Sequence, residues 1–209
     1  MEEIFELQWQ LGAHILKNIG LDYGETLSDP EKSIVWIENH RKALSAELAE
    51  LIREVYAHGF GTSNGRVEIV DMLHFLVSLS HLVHVVPADI PFQQRGLEES
   101  EVSAGAGHEI APEDAFQACA LRAFLTLDAL QNSLKWKWWA KGGGFKPEKA
   151  REAVLALWSC FYEFCAIFRM DFATVKKIYL EKNRVNFIRQ DQNYNEDTKT
   201  EADNEALGV

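Results

Sequence analysis

Residues 44–75 read LSAELAELIREVYAHGFGTSNGRVEIVDMLHF, and the periodicity of this stretch decides the fold. Leu44, Leu48, Leu51 and Ile52 recur at helical spacing, and Ile69, Val70 and Leu73 do so again after a break from Gly59 to Gly65. Two amphipathic helices around a short Gly-containing loop make an antiparallel hairpin. Asp29-Pro30, an N-cap followed by proline at the first helical position, opens the first of these helices. It is predicted to run to about Val55, with Ile37 on its apolar face. The second is predicted from about Arg66 to Val86, with Pro87 ending it.

Working outward, the same pattern returns. Pro112 opens a helix to about Leu134 and Pro147 another to about Phe168, around Gly142, Gly143 and Gly144. Two hairpins of similar length predict a duplicated unit packed as a four-helix bundle. A flanking helix over about residues 2–19 carries Ile4, Leu7, Leu11, Ile15 and Ile19 on one face and stops at Gly20; another, capped by Asp171, runs to about Arg189. Strand signals are almost absent. The expectation is an all-α fold in one domain, residues 1–194, built from two degenerate helical-hairpin repeats with flanking N- and C-terminal helices. Residues 87–113 lack any period to bury and read as a loop or insertion, and the acidic tail 195–209 has the composition of a disordered segment.

The chain has 209 residues, with 21 Lys and Arg against 32 Asp and Glu, for a net charge of −11. Such an acid excess argues against general binding to nucleic acid or to an anionic membrane, both of which need a basic face. Cys119, Cys160 and Cys165 form no CxxC pair, so the expectation is free thiols in a reducing cytoplasm. The N-terminus opens on Glu2 and Glu3 with no signal-peptide pattern. The longest uncharged stretch, Met72 to Gln94, contains His74, His81 and His84 and reads as a buried helix plus loop, not a membrane span.

The chemistry concentrates in the first hairpin. Glu47 and Glu50 lie three apart on one helix, and Glu68 and Asp71 three apart on the next, so each pair shares a face beside the apolar stripe. Pairs of this kind are commonly solvated surface or half of an ion pair. Two pairs on consecutive antiparallel helices, however, can converge four carboxylates at the edge of the core, and four negative charges held together call for a neutralising cation. An all-oxygen donor set suits Mg²⁺, with Mn²⁺ as the alternative. Because Mg²⁺ sites are completed by substrate phosphates, the constellation predicts a nucleotide polyphosphate, with one carboxylate orienting an attacking water.

Glu47-Leu-Ala-Glu50 followed by Glu68-Ile-Val-Asp71-Met-Leu-His74-Phe75 resembles the all-α, MazG-like nucleoside triphosphate pyrophosphohydrolases, and most closely their dimeric dUTPase branch. That branch carries ExxE, then ExxD continuing as DxxHF, and a C-terminal KNxxNxxRQxxGY. Here Lys182-Asn183-Arg-Val-Asn186-Phe-Ile-Arg189-Gln190-Asp-Gln-Asn193-Tyr194 departs from it only at Asn193, and Asn tolerates a left-handed backbone. The resemblance covers nearly the whole chain up to Tyr194. It implies that Glu47, Glu50, Glu68 and Asp71 hold the metal, with Glu50 or a neighbour such as Glu47 orienting the water. It also implies that Lys182, Asn186 and Arg189 contact the phosphates, supplying locally the cations that the net charge lacks. Phe75 would pack on the sugar and disfavour a 2′-hydroxyl, while Gln8 and Tyr194 would serve the base or sugar. Ordinary core is the plain reading of Phe75, and a satisfied interior histidine that of His74. The activity implied is Mg-dependent hydrolysis of dUTP to dUMP and pyrophosphate by a homodimer, with attack at the β-phosphorus. No nucleic-acid or membrane partner is expected.

The departures concern the base. The family shows LQxxLN in its first helix, whereas this chain reads Leu7-Gln8-Trp-Gln-Leu11-Gly12, with Gly12 in place of the Asn. The family's WKxW segment, placed soon after ExxE, is replaced by Tyr56-Ala57-His58-Gly59. A similar string, Lys135-Trp136-Lys137-Trp138-Trp139, stands in the second hairpin instead. Either Trp136 and its neighbours reach the nucleotide from that repeat, or they cover the bundle end or form a dimer contact. Thr126 and Ala129 stand where the second repeat would carry acids, so it is expected to bind no metal. Three other readings stay open: hydrolysis of another dNTP, a non-catalytic nucleotide-binding bundle, and a ferritin-like di-iron site. The last lacks a second ExxH.

Overall fold

The computed structural model describes residues 1–90, 111–137 and 139–191. Among them are seven α-helices, a 3₁₀ turn over Pro87–Asp89 and no strand: α1 (Glu2–Asn18), α2 (Tyr23–Ser28), α3 (Pro30–His58), α4 (Ser63–Leu82), α5 (Pro112–Ser133), α6 (Pro147–Ile167) and α7 (Phe172–Asp191). The expected all-α bundle is the fold observed. The insertion expected at 87–113 falls largely outside the described residues, as do the tail 195–209, Trp138 and Tyr194.

Local chemistry sets the helix ends. Asp29 Oδ1 accepts from the backbone N–H groups of Glu31 (2.9 Å) and Lys32 (3.1 Å), satisfying two donors that α3 leaves open. At its other end α3 runs one turn beyond the predicted Val55, because nothing before Gly59, with φ +79°, forces the chain out of the helix. Helix α4 likewise starts earlier than predicted: Thr62 Oγ1 accepts from the Gly65 N–H at 3.0 Å. It stops at Leu82 rather than Val86 because His84 turns left-handed, with φ 56°. The short α2 was not anticipated. Asp22, which accepts from the Glu25 N–H at 2.8 Å, is its cap. Ile19, expected on the apolar face of α1, lies beyond the helix end and is 60% exposed.

Helices α3 and α4 form one hairpin and α5 and α6 the other. Helix α4 also packs on α6 and α3 on α5, which closes a four-helix bundle; α1 and α7 pair with each other and lie on α4. Leu44, Leu48, Leu51, Ile69, Val70 and Leu73 are all buried, as the periodicity predicts. Trp158 of α6 is buried as well and donates from Nε1 to Ser80 Oγ of α4 at 2.9 Å, tying the hairpins together. Cys119, Cys160 and Cys165 are buried free thiols. No single helix among the described residues is long and apolar enough to cross a membrane.

Candidate active site

Because α3 and α4 run antiparallel, the Glu47–Glu50 turn lies level with the Glu68–Asp71 turn. One carboxylate oxygen from each of Glu47, Glu50 and Glu68 lies within 4.8 Å of the others, the only such group of three among the described residues. Glu68 is buried, and its Oε2 has no hydrogen-bond partner. Burial, then the charges of Asp71, Glu47 and Glu50, and then a hydrogen bond with Glu47 push the Glu68 carboxyl up to about 8. An unsatisfied buried carboxylate oxygen among three other acids is a costly arrangement for the protein alone. It is the donor set a hard divalent cation fits.

Asp71 is turned differently. Its Oδ2 lies 2.8 Å from Lys182 Nζ, so the fourth acid pairs with a buried cation of α7 instead of joining the trio. Lys182, Asn186 and Arg189, one helical face by spacing, all line a cavity of ≈ 240 Å³ together with Glu47 and Asp71. Its other walls are Gln8, Leu11 and Ile15 of α1, His40 of α3, His74, Phe75 and Ser78 of α4, and Gln190 of α7. One cleft therefore holds acids on two helices against cations on a third. The acids of such a cleft would suit a divalent cation, and its cations the oxygens of a phosphate group.

A family model described as dUTPase matches residues 1–194. The chain belongs to the all-α dUTPase family. It is an enzyme of dUTP hydrolysis. The family also points to a divalent-metal requirement, and the Glu47–Glu50–Glu68 cluster supplies a carboxylate set for it. No curated protein and no solved structure gave a match to the chain.

Position 12, where the resemblance places a base-reading Asn, is packed against Tyr23 in this dUTPase-family member. A Cβ on Gly12 would stand 2.8 Å from the ring carbons of Tyr23, so Tyr23 fills the space that a longer side chain at position 12 would need. The Tyr23 hydroxyl in turn lies 3.1 Å from His81 Nδ1. Gln8 is kept but committed: Nε2 donates to Ser78 Oγ (3.0 Å), while Oε1 accepts from the Tyr179 hydroxyl (2.9 Å) and pairs with His74 Nδ1 (2.9 Å). His74 stacks on Tyr179 with ring centroids 4.3 Å apart, and burial followed by the Lys182 charge lowers its pKa to about 3. It is a neutral interior histidine, but not the fully satisfied one expected: its buried Nε2 has no hydrogen-bond partner. Phe75 lines the cavity beside His40, with ring centroids 6.0 Å apart.

Trp136 is not brought to this cavity within the chain. Its Nε1 donates to Asn132 Oδ1 at 3.2 Å, Lys137 Nζ lies 4.9 Å from its ring centroid, and its ring meets the exposed Trp139 edge-on. Thr126 spends its hydroxyl on the Arg122 carbonyl, and Ala129 is exposed, so the corresponding positions of α5 offer no carboxylate. Sequence reasoning missed His40 and Gln190. A signal for His40 was present, since it stands seven residues before Glu47, two turns along the same face.

Proposed function

We infer that this enzyme hydrolyses dUTP to dUMP and pyrophosphate in the cleft between α3, α4 and α7, with Mg²⁺ as its metal and Mn²⁺ as a substitute. The observation that carries this is the opposition across one cavity of Glu47 and Asp71 to Lys182, Asn186 and Arg189, with Glu50 and Glu68 clustered on Glu47. Glu47, Glu50, Glu68 and Asp71 would hold the cation, which when bound supplies Lewis acidity and neutralises charge on the phosphate oxygens. Glu50, half-buried at the edge of the trio, is the residue to orient the attacking water and accept its proton, with Glu47 as the neighbour able to share that role.

Lys182, Asn186 and Arg189 would donate to the phosphate oxygens, fixing the chain for in-line attack. Lys182, 2.8 Å from Asp71, would share its charge between that carboxylate and the phosphates. Phe75 packs against the sugar, where an apolar ring leaves a 2′-hydroxyl without a partner. The family resemblance supports a homodimer, and three free thiols support a reducing, cytoplasmic setting.

A second reading, preference for another deoxynucleoside triphosphate, is favoured by one observation: Gly12 with Tyr23 against it. Pyrophosphate release in Mg²⁺ from dUTP, dCTP, dTTP, dATP, dGTP and UTP separates the two. Preference for dUTP over UTP and the other bases is expected. Selective release from another dNTP would keep the chemistry and replace the substrate.

A further inference from the structure

The phosphate end of the cavity is accounted for by the acids and the Lys182–Asn186–Arg189 face, but the groups that meet the base are not. Of the polar side chains expected to read it, Gln8 is spent in three hydrogen bonds and Ser78 in accepting from Gln8 and donating to the His74 carbonyl (3.0 Å), while His74 gives Nδ1 to Gln8 and has its Nε2 buried without a partner. Gly12 has no side chain, and His81 is engaged by Tyr23. His40 differs from the committed Gln8, Ser78 and His81, and from His74 in being half-buried where His74 is buried in the core. It lines the same cavity, and no hydrogen bond reaches its ring nitrogens among the described residues. Its ring centroid lies 6.0 Å from that of Phe75 and 5.9 Å from that of Trp36, two aromatic neighbours that restrict it.

Its position along α3 matches the ligand. Seven residues separate His40 from Glu47, a rise of about 10 Å on the same helical face. That is close to the reach of a nucleoside from its 5′-oxygen to the far edge of its base. Burial, with a smaller push from His81, lowers the imidazole pKa to about 4, so the ring is neutral near pH 7 and presents one N–H donor and one acceptor.

Resting on the dUTPase reading above, we propose that His40 is the specificity-determining residue at the base end, donating a ring N–H to the O4 carbonyl of uracil from the wall it shares with Phe75. Cytosine carries an amino donor at that position, which meets only the unprotonated ring nitrogen, so a ring that keeps its N–H toward the base loses the bond. His40 thereby takes over base reading at a site where Gly12 contributes nothing and Gln8 is committed to the protein. Gln190, which also lines the cavity, sits beside Arg189 on α7 and serves as the comparison.

The test is calorimetric binding of non-hydrolysable α,β-imido dUTP and dCTP in Mg²⁺, for the wild type, His40→Phe, His40→Gln and Gln190→Ala. His40→Leu replaces His40→Phe should the larger ring unfold the protein, as checked by circular dichroism. The expected result is about a tenfold loss of dUTP-analogue affinity in His40→Phe with dCTP-analogue affinity little changed, so that the preference collapses. His40→Gln, which keeps a donor, retains most of the preference, and Gln190→Ala keeps it too. Equal losses for both analogues in His40→Phe, an unchanged ratio, or a ratio governed by Gln190 would overturn the proposal. A wild type that prefers another base would refute the dUTP assignment alone, provided His40→Phe still flattens that preference. A wild type binding neither analogue would refute both.

Discussion

Substituting Gly12 by Ala should destabilise the wild-type protein and stabilise a variant that lacks the Tyr23 ring. Helix α1 contains Gly12 in its interior, where Gly costs about 1 kcal/mol relative to Ala in helix propensity. A Cβ at this position would lie 2.8 Å from both Cε2 and Cζ of Tyr23 and 3.1 Å from its hydroxyl oxygen, distances that force the ring to move. Tyr23 is buried, T-stacks on Trp9 at 4.9 Å and meets His81 through its hydroxyl, so it has little room to give way. Overpacking of this kind costs about 1–3 kcal/mol, which outweighs the propensity gain and leaves Gly12→Ala about 1 kcal/mol less stable. In a Tyr23→Ala background, itself several kcal/mol less stable from the lost ring, the clash is gone and only the propensity gain of about 1 kcal/mol remains. The cycle therefore predicts a coupling of about 2 kcal/mol with a change of sign, read from urea unfolding midpoints at constant m. If Gly12→Ala moved the midpoint in the same direction with and without Tyr23, the account of position 12 as space taken by Tyr23 would be wrong.

Three further outcomes follow from the same geometry. Metal-free Glu68 keeps its proton in the fold to about pH 8, whereas the unfolded chain releases it near the ordinary 4.5, so in EDTA this group's contribution to stability falls as pH rises between those values. Mg²⁺ needs the ionised carboxylate, so the rise in unfolding midpoint on adding Mg²⁺ should be larger at pH 8 than at pH 6.5; equal increments would remove Glu68 from the metal set. Lys182→Met takes the cation from a buried pair and leaves Asp71 among three other acids, a loss of about 3 kcal/mol in EDTA that Mg²⁺ should largely restore in thermal melts while turnover stays low. Recovery of turnover along with stability would contradict a phosphate role for Lys182. Glu50→Gln should abolish dUTP turnover with circular dichroism unchanged, and residual turnover near the wild-type rate would move the proton acceptor elsewhere.

Much of this architecture is legible in the sequence, because helix periodicity, proline starts and Asp caps are local signals. Asp29-Pro30, Pro112, Pro147 and Asp171 mark their helices where the structure has them. The ends at His58 and Leu82 are less legible, since they depend on Gly59 and His84 adopting left-handed backbone. The carboxylates are legible too, because three-residue spacing on neighbouring helices brings acids to one face. What spacing does not convey is side-chain direction: Asp71 turns to Lys182, a residue more than a hundred positions away, and leaves a trio. Position 12 is illegible for the same reason. Only the fold places Tyr23 against it, and only the fold shows Gln8 saturated and His40 facing the cavity.

The central claim is that the acids of α3 and α4 and the cations of α7 form one metal-dependent centre for cleaving dUTP. Its most direct test is pyrophosphate release from dUTP by the wild-type protein stripped with EDTA and then titrated with Mg²⁺. The account predicts no release without metal, recovery on adding Mg²⁺, and dUMP as the stoichiometric partner of each pyrophosphate. Undiminished release in EDTA, or dUDP and phosphate as the products, would contradict it.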